Sequence, residues 1–146
     1  MRVSVIGGGS VGDRDRERAR AVGVALAEGG HDLVCGGLGG VMEAACRGAA
    51  EAGGRTIGIL PGDDPDAANP YVDVPIATGM GNARNALVVA NGEGAIAIDG
   101  RYGTLSEIAL ALDRGIPVAG FGTHEVEGVE AVESAAAAVR VVEETA

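Results

Sequence analysis

Chemistry in this chain is concentrated in four glycine-rich stretches, each directly after a short β-branched run: GGGSVG at 7–12, GGLGG at 36–40, TGMGNARN at 78–85 and DGRYGTLSE at 99–107. Glycine lets the backbone approach a ligand closely, and a helix that begins in such a turn offers free N–H groups and the positive end of its dipole to an anion. The candidate anion-holding positions are therefore Gly8, Gly9 and Ser10; Gly37 and Gly39; Gly79, Gly81, Asn82 and Asn85; and Gly100, Arg101, Gly103 and Thr104. Two side chains beside these turns could act on a bound molecule. Glu107 is a carboxylate able to activate water or stabilise a cationic transition state, and Arg84 is a guanidinium suited to a phosphate or carboxylate.

Each of these residues also has a plainer reading. Thr104 as N-cap with Glu107 three residues on forms a capping box, which needs no ligand. Arg84 opens an otherwise apolar helix and could be a solvated residue or a bridge between subunits. Asp99 could satisfy local turn amides as readily as touch a ligand. Gly7, Gly9 and Gly12 match GxGxxG, but a nicotinamide dinucleotide site also requires an acidic residue at the end of the second strand, where Cys35 stands.

Composition removes several alternatives. The chain has no lysine, since all 11 basic residues are Arg, so neither a pyridoxal phosphate Schiff base nor a Walker-type phosphate loop can be built. A net charge of -10 and 2% aromatic residues argue against a nucleic-acid partner, which needs a basic surface or a base-stacking platform. An acidic, lysine-free surface suits a salt-rich, halophilic cytoplasm, and Arg-favouring codon usage accounts for it equally well. His31 and His124 have no partner at metal-ligand spacing, so no metal site is expected. Cys35 and Cys46 read as small buried hydrophobes of a reducing compartment. There is neither an N-terminal signal pattern nor an apolar run of about 18 residues, which predicts a cytoplasmic protein with no membrane partner.

The elements needed to position these turns alternate as in βαβ units. Strands are expected at 2–6, 32–35, 56–60, 95–98 and 117–121, with weaker ones in VDVPIAT after the loop PGDDPDAANPY and near VEAV. Helices are expected at 13–29, capped by Asp13, with DRDRERAR as its solvated face, and at 41–52, 81–91 and 104–114; a last one, AAAAVRVVEE, is capped by Ser134. At 146 residues this amounts to one domain, 1–146: a Rossmann-like three-layer α/β/α sandwich around a mostly parallel sheet, with the glycine turns gathered at one sheet edge.

The ordered segments VIGGGS, CGGLGGVMEAACRGA, GGRTIGILPG, GMGNARN and YGTLSEIALAL with GIPV resemble the LOG-like Rossmann proteins, once labelled possible lysine decarboxylases. That group contains cytokinin riboside monophosphate phosphoribohydrolases and a branch of molybdenum cofactor carrier proteins. The decarboxylase label conflicts with the absence of lysine. The hydrolase signature PGGxGTxxE is matched by Gly100, Gly103, Thr104 and Glu107, and Arg84 matches the helix arginine of that branch. Asp99 replaces its proline, Arg101 its second glycine, and Arg84-Asn85 its Arg-Lys pair. Arg101 either obstructs close backbone approach or clamps the phosphate itself. These departures make the resemblance closer to the carrier-like branch. It implies a small phosphorylated ligand, a nucleotide or pterin cofactor, held by a homodimer or homotetramer. The alternative it implies is hydrolysis of the N-glycosidic bond of a nucleoside 5′-monophosphate by Arg84 and Glu107.

Overall fold

The computed structural model describes residues 1–145, so Ala146 lies outside the described residues. Strand β1 (Arg2–Gly7) leads to helix α1 (Asp13–Glu28), β2 (Asp32–Cys35), α2 (Val41–Glu51) and β3 (Thr56–Leu60). A loop with one short 3-10 turn (Pro65–Ala67) reaches β4 (Val74–Ala77), and a second 3-10 turn (Gly81–Arg84) runs into α3 (Asn85–Ala90). Then follow β5 (Gly94–Ile98), α4 (Tyr102–Asp113), β6 (Val118–Gly120), β7 (Val129–Ala131) and α5 (Ala135–Thr145). The strands form one seven-stranded sheet in the order β4-β3-β2-β1-β5-β6-β7, with every described pairing parallel. Helix α1 packs against both α2 and α5, and α3 packs on α4 across the sheet. The architecture is the expected three-layer Rossmann-like sandwich.

The strands read as continuous apolar runs because helices cover both faces; β3 and β5 are buried along their whole lengths. With almost no large rings available, the core is filled by Val, Ile, Leu and Ala, and helices must approach closely to exclude voids. The tightest approach joins α1 to α2. A methyl group on Gly23 would collide with the Ala45 carbonyl, and one on Gly48 with the Arg20 carbonyl.

Several local expectations shift. Helix α1 is preceded by Gly12 as its cap residue, and Asp13 is already helical with no side-chain cap bond. The charged face of α1 is mostly solvated, but Arg18 is drawn inward over the Phe121 ring at 4.9 Å. Ser134 does cap the last helix, its Oγ accepting from the Ala137 amide at 3.1 Å. Cys35 and Cys46 are buried free thiols 3.5 Å apart, where their mutual hydrogen bond and burial push the Cys46 thiol up. Among the described residues no helix is long and apolar enough to cross a membrane.

Candidate functional site

The chain leaves β1 toward β2 and leaves β5 toward β6, so the connections diverge to opposite sides between these two neighbouring strands. That divergence opens a crevice beyond their C-terminal ends, where ligands bind in open α/β sheets. A cleft of about 480 Å³ occupies the place. Its wall contains Gly8, Gly9, Ser10, Asn82, Arg84, Asn85, Arg101, Gly103, Thr104 and Glu107 from the sequence-derived set, and also Asp99. Five others lie outside that lining: Gly37, Gly39, Gly79, Gly81 and Gly100.

The reasons differ by position. Gly37 is turned against Leu60 and Gly58, Gly39 lies near the Gly9 carbonyl, and Gly79 faces Asp63. Gly81 starts a 3-10 turn in open space. Gly100 serves the turn itself. It has φ +101, and an added methyl would strike the Thr104 side chain. Conversely, Val5, Ile6, Gly36 and Met42 line the cleft without having been singled out, and so does Gly7, noted only for the GxGxxG match. Of the apolar ones, Val5 and Ile6 are closed off in the core and Met42 reaches the cleft surface.

The β5–α4 turn overturns the capping-box reading. Asp99 takes φ +52, a conformation Asp adopts more readily than most residues, and Gly100 follows it in left-handed space. The Thr123 hydroxyl donates to the Asp99 carbonyl at 2.7 Å and holds this reversal. The helix therefore resumes at Tyr102, with Arg101 as its cap residue and no side-chain cap bond. Thr104 and Glu107 lie within the first two turns of α4 and line the crevice, and the Thr104 hydroxyl has no partner among the described residues. Amides at the start of α4 lack intrahelical acceptors. The backbone N–H groups of Gly9 to Gly12 likewise donate to no described group, so both sides of the crevice carry free donors.

Arg84 ends the 3-10 turn instead of opening a regular helix. Its Nε donates to the Ile59 carbonyl at 2.9 Å, Nη2 to the Gly36 carbonyl at 3.5 Å and Nη1 to the Asn85 amide oxygen. The guanidinium thus ties the ends of β2 and β3 to α3, and two of the five N–H donors of an arginine remain for another group. Arg84 and Glu107 are each only 8% exposed. Burial drives the Glu107 carboxyl up to about 7, against the partly compensating attraction of Arg84. Burial also lowers the Arg84 guanidinium, which Glu107 counteracts. The two feel each other without forming a direct ion pair, and Glu107 makes no hydrogen bond among the described residues. This carboxyl takes up or releases a proton near neutral pH, and it borders a cleft lined by two arginines and free amides.

Fold and cleft define an α/β protein of Rossmann-like type with glycine turns and paired charged side chains at the sheet's switch point. The chain belongs to the SLOG cluster4 family, whose model matches residues 1–146. An uncharacterized protein of Archaeoglobus fulgidus is 44% identical over 140 residues, covering 95% of this chain and 92% of its own. Among solved structures, the molybdenum cofactor binding protein of the phototrophic bacterium Rippkaea orientalis superposes with a TM-score of 0.92 at 33% identity, covering 98% of this chain and 95% of that one. The molybdenum cofactor carrier protein of Chlamydomonas reinhardtii gives 0.90 at 33% identity, covering 99% and 96%.

Proposed function

We propose that the switch-point cleft binds a phosphate-bearing cofactor of the pterin or nucleotide type, and that the protein holds this molecule as cargo in the manner of a molybdenum cofactor carrier. The observation that carries the reading is the cleft itself: free amides of the β1–α1 turn and of the α4 start, the Thr104 hydroxyl and the spare donors of Arg84 border one space. Such donors suit a phosphate. Met42 adds an apolar side chain at the cleft surface, and the volume falls in the range of cofactor pockets. Arg101 borders the cleft with an exposed side chain free of ion pairs among the described residues, consistent with a clamp on the bound anion. The likeness to two molybdenum cofactor proteins over nearly the whole chain supports the same reading.

A second reading, hydrolysis of a nucleoside 5′-monophosphate, is favoured by one feature. Glu107, poised near neutrality at the cleft, can accept a proton from an attacking water. Incubation with AMP, CMP, GMP and UMP separates the two. A carrier gives ligand-induced thermal stabilisation without release of free base. Free base that disappears in Glu107→Ala overturns the carrier reading in favour of the hydrolase. Absence of both stabilisation and turnover, with a pterin-type phosphorylated cofactor included, refutes the cleft as a binding site.

Homo-oligomer formation belongs to the same proposal. Tyr102, Leu105 and Leu110 of α4, Met80, and Val74 and Ile76 of the edge strand β4 are exposed large hydrophobics. A second copy covering them removes apolar surface from water. Sedimentation velocity that finds only a monomer at micromolar concentration contradicts it.

A further inference from the structure

Cys35 ends β2 and Cys46 lies in α2, and they are the only two cysteines of the chain. Nothing in their spacing relates them, yet the packing of α2 over the end of β2 brings their sulfurs to 3.5 Å, with both side chains fully buried. A disulfide has an S–S length of about 2 Å, so the sulfurs need to close by roughly 1.5 Å, which rotation of the two side chains about their Cα–Cβ bonds supplies. Burial keeps thiols of other molecules away, so any disulfide this chain makes while folded joins these two residues.

The two sulfurs are not equivalent. The hydrogen bond from Cys46 holds the Cys35 thiol below its ordinary value against the effect of burial, helped by the Gly37 amide, which donates to Cys35 Sγ at 3.3 Å, and by the charge of Arg84. The Cys46 thiol is pushed up by the same contact and by burial, and keeps its proton. Cys35 is therefore the nucleophile and Cys46 the resolving partner. The way in is the cleft, because Gly36, adjoining Cys35, lines it without a side chain to block a small uncharged molecule.

We propose that Cys35 and Cys46 are a redox modification site, which forms a reversible intramolecular disulfide on meeting a peroxide and so fastens the segment 36–45, the source of Gly36 and Met42 in the cleft wall, to α2. The Cys35 thiolate attacks one peroxide oxygen and the O–O bond breaks. The departing hydroxide takes up the proton that Cys35 released and becomes water, leaving Cys35 as a sulfenic acid. The Cys46 sulfur then attacks the Cys35 sulfur and expels its hydroxyl, which leaves as a second water with the Cys46 proton. Each sulfur gives one electron, and the peroxide takes two. A partner 3.5 Å away captures the sulfenic acid before a second peroxide arrives, which protects Cys35 from irreversible oxidation. The site stands apart from the ligand reading above and does not depend on it.

Thiol mapping tests this. Protein treated with hydrogen peroxide or with dithiothreitol is unfolded in guanidinium, its free thiols are alkylated, and its peptides are identified by mass spectrometry. Peroxide leaves both cysteines of the natural sequence unavailable and linked to each other within one chain, and dithiothreitol restores both. In Cys46→Ala, which lacks the resolving partner, Cys35 proceeds to a sulfinic acid that dithiothreitol does not reverse. The oxidised natural protein melts about 5–10 °C higher than the reduced one, because the bond removes loop-closure entropy from the unfolded chain. Its amides over 36–45 exchange hydrogen more slowly. Two thiols still free after peroxide, a disulfide between two chains, or a Cys35 that stays reduced in Cys46→Ala overturns the site. A disulfide that forms without raising the melting temperature or slowing exchange overturns the fastening of the cleft wall.

Discussion

Glu107→Gln replaces a carboxyl that folding drives toward its protonated form with a neutral group of the same shape. The ordinary value of this carboxyl is 4.5 and the folded value about 7, raised by burial against the attraction of Arg84. Well below pH 4.5 both folded and unfolded chains hold the proton, and Glu107 contributes no pH dependence. Between 4.5 and 7 the unfolded chain ionises first, so each increase in pH favours unfolding; above about 7 the cost stays constant. At roughly 1.36 kcal/mol per tenfold change in proton affinity, this amounts to a loss of about 3 kcal/mol on the alkaline side. Water reaching the cleft reduces the figure, so about 2 kcal/mol is the working expectation. Glutamine carries no such cost. The variant therefore exceeds the natural sequence in stability by about 2 kcal/mol at pH 8.5, or roughly 6–8 °C in melting temperature for a chain of this size, with the gap narrowing steadily toward pH 5. Urea denaturation across that range, without ligand, measures it directly. A difference that is constant with pH, or a variant less stable at pH 8.5, would show that Glu107 is ionised in the folded protein at little cost and that the burial argument is mistaken.

Thr104→Val keeps side-chain volume while removing the free hydroxyl at the cleft, and is expected to weaken binding of a phosphate-bearing ligand about tenfold. Ligand-dependent thermal shifts read the loss, and an unchanged shift counts against a role for Thr104. Arg101→Gly, which installs the residue of the hydrolase signature, loses affinity for the same ligand if the guanidinium clamps it; tighter binding would instead mark Arg101 as an obstruction. Gly23→Ala forces a methyl group into the Ala45 carbonyl across the α1–α2 contact and is expected to cost about 2 kcal/mol, seen as a lower urea midpoint at constant slope. Ser134→Ala removes the cap of α5 and is expected to cost about 1 kcal/mol in the same assay.

What could be read from the chain followed from local chemistry. The alternation of β-branched runs with alanine-rich helices announced a parallel sheet, because strands covered on both faces carry apolar residues at every position. All four glycine turns were legible as candidate linings of one cleft, since each follows a strand and leads toward a helix. The start of α4 was not. Thr104 and Glu107 have capping-box spacing, and only the left-handed turn at Asp99 and Gly100, held by Thr123 from a distant loop, moves the helix start to Tyr102.

Residue type at each turn, the absence of lysine and the excess of carboxylates belong to the amino-acid order and dictated which chemistries were open. Which glycines line the cleft did not. Gly36 and Gly37 are neighbours directly after β2, yet Gly36 borders the cleft while Gly37 packs on Leu60 and Gly58, because the side to which each residue of the turn faces is fixed by the elements packed around it. The proximity of Arg84 to Glu107 and the raised affinity of that carboxyl for its proton are likewise tertiary. Both depend on how much solvent the assembled sheet and helices exclude around two charges, a quantity no local pattern encodes.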